Sequence, residues 1–149
     1  MRKIFVVTLA LSLLFFSCGV RSGRTAENAG EVMEALLSEF SPGDGFFYSD
    51  GANAEYPLTD AVLERMFPGD GDLEDLFCVT SAAVWFSKRF SEHEIIVFEL
   101  CDRSHRERIV GLLEKRARKK ENAVVFADGV YVYLICTDSN EAISRYLRS

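Results

Sequence analysis

The sequence predicts an α+β domain built on one mainly antiparallel four-stranded sheet, with helices packed on a face of it. Residues 94–101 alternate β-forming side chains in the way a half-buried strand does. The pair Asp128-Gly129 separates two further β-rich runs and indicates a hairpin turn. Apolar residues recur at helical spacing before, between and after these runs. The predicted core is therefore β-β-α-β-β-α, preceded by two helices.

The first two predicted helices cover residues 27–40 and 59–67. In the first, apolar side chains recur at intervals of three and four residues, and Ser41-Pro42-Gly43 ends the pattern. The second is shorter and stops at Pro68-Gly69. Both helices are expected to bury one apolar stripe.

The segment 44–57 between these helices is interrupted by glycine, aspartate, asparagine and proline, and it is predicted to be an irregular loop. It contains three consecutive aromatic residues, Phe46, Phe47 and Tyr48. These side chains form either an exposed contact surface or a short strand or loop that packs on the core.

Residues 76–86 and 94–101 are predicted to be an antiparallel pair of strands. In the second strand, Ile96, Phe98 and Leu100 share the drier face, which is expected to meet the core.

Ser104 and Glu107 have the spacing of a capping box and predict the start of the next helix. Arg116 lies on the apolar stripe of this helix, so its guanidinium should reach towards solvent or pair with a strand carboxylate such as Glu94. The helix ends among cations that suit its dipole, and a solvated end is favoured over a cationic contact patch.

The hairpin around Asp128-Gly129 is expected to place Tyr131 and Tyr133 on one face of the sheet. A final helix follows residue 138, and its inward residues are predicted to be Ala142, Ile143 and Leu147.

The N-terminus has the layout of a secretory signal. Arg2 and Lys3 precede an apolar run at residues 4–16, which is followed by small residues. As a helix this run would reach only ~20 Å, against a hydrocarbon core of ~30 Å, which argues against a permanent transmembrane span. The predicted organisation is a signal at 1–17, a flexible tether at 18–26 and a single domain at 27–149.

Ser17 and Cys18 at the end of the apolar run resemble the lipobox of bacterial lipoproteins. In that family the signal is cut before the cysteine, whose thiol carries diacylglycerol. Phe15 and Phe16 differ from the family's usual leucine and small residue. Lipidation of Cys18 is the preferred prediction; the alternatives are ordinary cleavage before Val20, which would release a secreted protein, and an uncut signal anchor.

The charge of the chain argues against nucleic acid as a partner. Without residues 1–17 the 17 basic and 23 acidic residues become 15 and 23, a formal net charge of −8. Phosphate backbones demand a cationic face. The 48% hydrophobic content favours a packed globule over disorder.

The remaining cysteines, Cys78, Cys101 and Cys136, lack the spacing of a redox or zinc motif. They are expected to be small core residues, with one disulfide among them as the alternative outside the cytoplasm. His93 and His105 lie on different predicted elements and form no local metal motif. Nucleophile and phosphate-loop motifs are missing as well, so no cofactor is predicted and an enzyme is the less favoured class.

The arrangement of residues 58–147 resembles a family of uncharacterised bacterial lipoproteins that share a domain of unknown function and are typical of Gram-positive anaerobes. The matching pieces are the strand Glu94-Ile95-Ile96-Val97-Phe98, the helix end Leu113-Glu114-Lys115-Arg116 and the strand Gly129-Val130-Tyr131-Val132. Members also begin with a signal and a lipobox cysteine, as at Cys18. The resemblance implies a lipid anchor and brings no activity.

Together these observations predict a lipid-anchored binding or interaction module on the outer face of the cytoplasmic membrane. A sheet edge or the aromatic residues Phe46, Phe47 and Tyr48 would contact an envelope protein. An extracytoplasmic enzyme with a site assembled by the fold, and a secreted structural envelope protein, are the alternatives. A polar pocket would favour the enzyme, and a flat apolar patch the interaction module.

Overall fold

The computed structural model describes residues 28–51, 54–69, 71–90 and 92–149, which form a mixed six-stranded sheet with helices on both faces. The helices are α1 (Ala29–Phe40), α2 (Asp60–Met66), α3 (Asp72–Asp75), α4 (Arg106–Ala117) and α5 (Asn140–Leu147). The strands are β1 (Gly45–Ser49), β2 (Tyr56–Pro57), β3 (Val79–Ser87), β4 (Glu94–Leu100), β5 (Val124–Asp128) and β6 (Tyr131–Cys136).

The α+β class is confirmed, but the sheet is larger than the predicted four strands. Its order is β2-β1-β3-β4-β6-β5, and every neighbouring pair is antiparallel except the parallel pair of β1 and β2. The four predicted strands form the antiparallel part. The two additional strands come from the segment expected to be an irregular loop. Its aromatic run forms β1, which pairs with β3, and β2 pairs with β1.

Both faces of the sheet are buried, whereas the sequence predicted one drier face for β4. On the face covered by α2 and α4, called the α4 face, Ile96, Phe98 and Leu100 join the core as expected. On the face covered by α1 and α5, called the α1 face, Ile95 and Val97 are equally buried. The prediction was wrong because two helices cover the second face as well, so neither side of β4 meets water.

Side-chain hydrogen bonds fix α1 along the sheet. Asn28 caps the helix by accepting from the Glu31 N–H at 3.0 Å, and Ser81 at the start of β3 accepts from the Ala29 N–H at 3.2 Å. The helix ends at Ser41, whose φ of 42° is in the left-handed region. The amino end of α1 therefore lies at the start of β3, and its carboxyl end lies near the end of β3.

The capping box predicted at Ser104 and Glu107 is not formed. Asp102 accepts instead from the Ser104 N–H at 2.6 Å, and Arg103–His105 form a 3₁₀ turn before α4 begins. This hydrogen bond lowers the pKa of the Asp102 carboxyl. The carboxylate directly before the turn takes the capping role that the sequence assigned to the serine.

Two further details differ from the prediction at the C-terminal end. Asp128 pairs with Tyr131, so the turn residues of the hairpin are Gly129, with a φ of +59°, and the residue after it. In α5, Ile143 is buried as predicted, whereas Ala142 is exposed because it lies on the outer side of the helix. Tyr131 and Tyr133 share the α1 face, which confirms the predicted alternation.

The predicted signal at 1–17, the lipidation site at Ser17 and Cys18, and the tether at 18–26 all lie outside the described residues. Among the residues that are described, no helix has the length and apolar character needed to cross a membrane.

Candidate functional site

One end of the sheet carries an open cleft of about 690 Å³, which we call the terminal cleft. Three loops and one histidine form its walls. They are residues 41–44 after α1, residues 87–90 at and after the end of β3, residues 137–139 after β6, and His93 immediately before β4.

The walls of the terminal cleft carry charges of both signs and one exposed ring. Asp44 and Asp138 supply carboxylates, and Lys88 and Arg89 supply cations. Phe90 is 47% exposed, with the Arg89 guanidinium 5.6 Å from its ring centroid. Such a mixture suits a small ligand that carries both charges and an apolar group.

Short-range hydrogen bonds hold the β3–β4 loop beside the cleft. The Ser87 hydroxyl accepts from the N–H groups of Arg89 and Phe90, both at 3.1 Å. The Ser87 N–H donates to the His93 carbonyl at 3.1 Å, and the His93 N–H donates to the Phe90 carbonyl at 3.1 Å. These bonds place Arg89 and Phe90 at the rim before any ligand binds.

His93 is weakly paired. Its Nε2 atom lies 3.6 Å from the Asp138 carboxylate, and its ring centroid lies 4.8 Å from that of Phe90. Within the described part of the chain, no serine, threonine or cysteine side chain is hydrogen-bonded to His93. The cleft thus offers recognition groups without a hydroxyl or thiol activated by the imidazole.

A cluster of four aromatic rings adjoins the cleft, and we call it the aromatic patch: Phe46, Tyr48, Tyr56 and Phe86. Tyr48 and Tyr56 have ring centroids 5.3 Å apart, and Phe46 is 37% exposed. The Lys88 ammonium lies 4.7 Å from the Phe46 centroid, so this lysine connects the patch to the cleft.

The three aromatic residues singled out in the sequence are divided between the two faces of the sheet. Phe46 and Tyr48 belong to the aromatic patch, whereas Phe47 is half-buried on the α1 face. Tyr48 is half-buried against the α4-face core. Phe46 is therefore the most accessible of the three, and Tyr56 and Phe86 are neighbours that spacing along the sequence did not reveal.

Immediately after His93 in the chain, at the first residue of β4, a buried ion cluster consists of Glu94, Arg116 and Lys120. The Glu94 side chain has no exposed surface. It accepts from Arg116 Nε at 2.8 and 2.9 Å and from Nη2 at 2.7 Å, and Lys120 Nζ lies 3.1 Å away. The predicted pairing of Arg116 with Glu94 is confirmed.

Further contacts hold the two cations of this cluster in place. Arg116 Nη1 donates to the Met66 carbonyl at 2.6 Å, and the guanidinium lies 5.7 Å from the Phe67 centroid. Lys120 Nζ donates to the Glu92 carbonyl at 3.0 Å. The cluster therefore joins the end of α4 to α2 and to the start of β4. The role of Lys120 was not predicted, because this residue follows the end of α4 and its contact with Glu94 joins distant parts of the chain.

Two carboxylates from other elements pair with three of the five cations at the end of α4. Lys115 pairs with the buried Asp72 at 3.0 Å, and two more cations pair with Glu94. In the described structure Arg118 and Lys119 have no carboxylate partner. This end of α4 therefore keeps a net positive charge, with Arg118 and Lys119 exposed.

Cys78, Cys101 and Cys136 are all free thiols. Burial raises the pKa of the Cys78 and Cys136 thiols, which keeps them protonated at neutral pH. Cys101 is exposed, so the expectation that all three are core residues was wrong for this one. No group of three or more metal-ligating side chains within the described ranges could hold a metal ion.

Comparison of the chain with protein-family profiles, with curated proteins and with solved structures finds no match.

Proposed function

We propose that this protein is an extracytoplasmic binding module, attached to the outer face of the cytoplasmic membrane through a lipid on Cys18, that binds short peptides with free termini. The observation that carries this proposal is the terminal cleft, where both signs of charge and an exposed ring meet at one end of the sheet.

The chemistry of the cleft matches a zwitterion with an apolar side chain. Lys88 and Arg89 suit a terminal carboxylate, and Asp44 and Asp138 suit a terminal ammonium. The Phe90 ring offers apolar contact. A volume of about 690 Å³ lies within the range of ~300–1,000 Å³ typical of small-molecule sites.

The position of α1 supports the combination of anchor and cleft. The helix begins beside Ser81 at one end of the sheet, and the residues after it line the cleft at the other. A helix of 12 residues separates these ends by ~18 Å. The cleft thus lies at the end of the sheet opposite to the point where the chain from the anchor enters the domain at Asn28.

A second candidate is contact with an envelope protein through the aromatic patch. Phe46 is the most exposed ring of the patch, and the ammonium of Lys88 lies over it. An aromatic surface of this kind, with a cation above it, is a common feature of protein interfaces. The variant Phe46→Ala separates the two candidates, since it would abolish partner contact and leave peptide binding within about twofold.

Peptide binding is testable by calorimetric titration of the full chain with alanyl-phenylalanyl-alanine. We expect saturable binding below about 1 mM, and loss of at least about tenfold in affinity when both peptide termini are capped. Lys88→Ala with Asp138→Asn should weaken binding similarly. Arg118→Ala is the matched control, because this exposed cation lies outside the cleft. Equal affinity for free and capped peptides, or no heat of binding with free peptide, would contradict the proposal.

The anchor is tested by comparing the wild type with Cys18→Ala. Membrane fractionation should place the wild type with membranes and shift the variant away from them. Mass spectrometry of the mature N-terminus should find a diacylglyceryl-modified cysteine. A wild-type protein that appears in the medium beginning at Val20 would refute lipidation.

A further inference from the structure

Cys78 and Cys101 lie opposite each other where the β3–β4 ladder ends. The ladder pairs Val79 with Leu100, and one step further the Cys101 N–H donates to the Cys78 carbonyl at 2.8 Å. The two cysteines therefore extend the antiparallel register by one position. Residues hydrogen-bonded opposite each other in an antiparallel pair have Cα atoms ~5.5 Å apart, within the ~4.4–6.8 Å range of a disulfide.

Local structure around Cys78 permits the remaining approach. This residue belongs to the 3₁₀ turn Leu76–Cys78 before β3, so its side chain is not held to the alternation of the strand. Its thiol makes one weak hydrogen bond, to the Asp75 carbonyl at 3.5 Å. Because Cys78 is buried in the α4-face core and Cys101 is exposed, the bridge requires this turn to rotate until the two sulfurs meet.

The third cysteine of the domain is at the other end of the sheet. Cys136 pairs with Glu94 in the register, at the first residue of β4, whereas Cys101 follows the last. The seven residues of β4 span ~23 Å, far beyond the reach of a disulfide. Cys136 is also occupied by a hydrogen bond to the Glu121 carbonyl at 3.3 Å.

We infer that Cys78 and Cys101 form an intramolecular disulfide when the protein meets a disulfide oxidant, such as a thiol–disulfide oxidoreductase or glutathione disulfide. This modification is independent of peptide binding but rests on the proposed location outside the cytoplasm. Residues outside the cytoplasm meet such oxidants, and reduction there is slow.

Disulfide formation takes two steps, and the exposed cysteine reacts first. The accessible Cys101 thiolate attacks the oxidant's disulfide, forms a mixed disulfide and releases one thiolate, which takes up a proton. The Cys78 thiol then loses its proton and attacks the Cys101 sulfur, releasing the second thiol. Two protein thiols give up two electrons and two protons, and one oxidant disulfide becomes two thiols.

Peptide mapping of the full chain tests this inference. Trypsin cleavage after Arg65, Lys88, Arg103 and Lys120 puts the three cysteines of the domain on separate peptides. After dilute protein is treated with glutathione disulfide and alkylated, we expect a Cys78–Cys101 linked peptide and alkylated Cys136. The oxidised form should melt about 5–10 °C above the reduced form, because the bridge constrains the unfolded chain.

Single cysteine variants distinguish the Cys78–Cys101 disulfide from other products. Cys101→Ser should abolish the linked peptide and the shift in melting temperature, and Cys136→Ser should leave both unchanged. The inference is overturned by a bridge that includes Cys136 or Cys18, by a Cys101–Cys101 dimer as the main product, or by full alkylation of Cys78 and Cys101 after oxidation and unfolding.

Discussion

His93 and Glu94 are consecutive residues, yet they belong to regions with opposite properties. Glu94 is fully buried on the α4 face and held by Arg116 and Lys120 at hydrogen-bond distances. His93 lines the open terminal cleft, and its nearest charged partner, Asp138, is 90% exposed and 3.6 Å away. The start of β4 thus combines a buried ion cluster, in which Glu94 contacts two cations, with an exposed and weakly paired site at His93.

This difference indicates that the ion cluster stabilises the fold and that the cleft is available for binding. Removing one partner of a buried ion pair leaves an uncompensated charge and costs ~3–5 kcal/mol, whereas exposed pairs contribute ~0–1 kcal/mol. Groups in the cleft keep their hydrogen-bonding capacity for a ligand. We therefore expect substitutions in the ion cluster to change the free energy of unfolding, and substitutions in the cleft to change affinity.

The largest effect is expected for Glu94→Gln. The amide cannot neutralise Arg116 and Lys120, so the free energy of unfolding should fall by ~3–5 kcal/mol. Urea denaturation followed by circular dichroism measures this loss. The matched control is Glu141→Gln, which breaks an exposed pair with Arg145 and should cost no more than ~0.5 kcal/mol. Equal losses in the two variants would show that the buried cluster contributes no more than a surface pair.

A smaller effect is expected for Arg116→Lys, which keeps the charge and removes the planar fork. Lysine cannot bond Glu94 and the Met66 carbonyl together, nor stack between Phe67 and Phe86 in the same way. We expect a loss of ~1–3 kcal/mol in urea denaturation, because one buried acceptor is left unsatisfied. A change within ~0.3 kcal/mol would mean that charge alone matters there.

Glu99, near the other end of β4, contrasts with Glu94. Among the described residues no cation pairs with Glu99. Burial, and then the charge of Asp50, raise the pKa of its carboxyl. A raised carboxyl pKa means that the folded state binds more protons, so ionised Glu99 destabilises the fold as pH rises above the unfolded value of ~4.3. Glu99→Gln should therefore be more stable than the wild type at pH 7.

The advantage of Glu99→Gln should disappear below about pH 4, where the carboxyl is protonated in both states. Thermal melts of both proteins from pH 3 to pH 8 measure the difference. An advantage that is constant across this range would indicate a packing effect instead of an electrostatic one.

The parts of the fold that follow from local pattern were predictable. The spacing of apolar residues located α1, and the position of Arg116 on an apolar stripe indicated its pairing with Glu94. A short strand at Phe46–Tyr48 was one of two alternatives, and β1 confirms it, but its pairing with β3 was not predicted because it is a contact between distant parts of the chain.

The terminal cleft could not be predicted for the same reason. Its walls come from three loops separated by dozens of residues. The sequence of each loop alone indicates only an ordinary turn. Phe90 and His93 had no distinguishing spacing, since they meet Asp138 only after β4 and β6 pair. Phe46 was identified because three aromatic residues in succession are visible in the sequence itself.

The smallest effect on stability, and a large one on binding, are expected for His93→Ala. Its weak pair with an exposed carboxylate contributes ~0–1 kcal/mol to folding. Affinity for alanyl-phenylalanyl-alanine should fall at least about fivefold, because the imidazole and its contact with the Phe90 ring form part of the wall.

The most direct test of the division between the ion cluster and the terminal cleft is to measure unfolding and peptide affinity in both His93→Ala and Glu94→Gln. We predict opposite results: Glu94→Gln loses ~3–5 kcal/mol of stability and, where folded, binds within about twofold of the wild type, whereas His93→Ala keeps its stability and loses affinity. If both substitutions reduced the same property, or if Glu94→Gln weakened binding as much as His93→Ala, the division would be wrong.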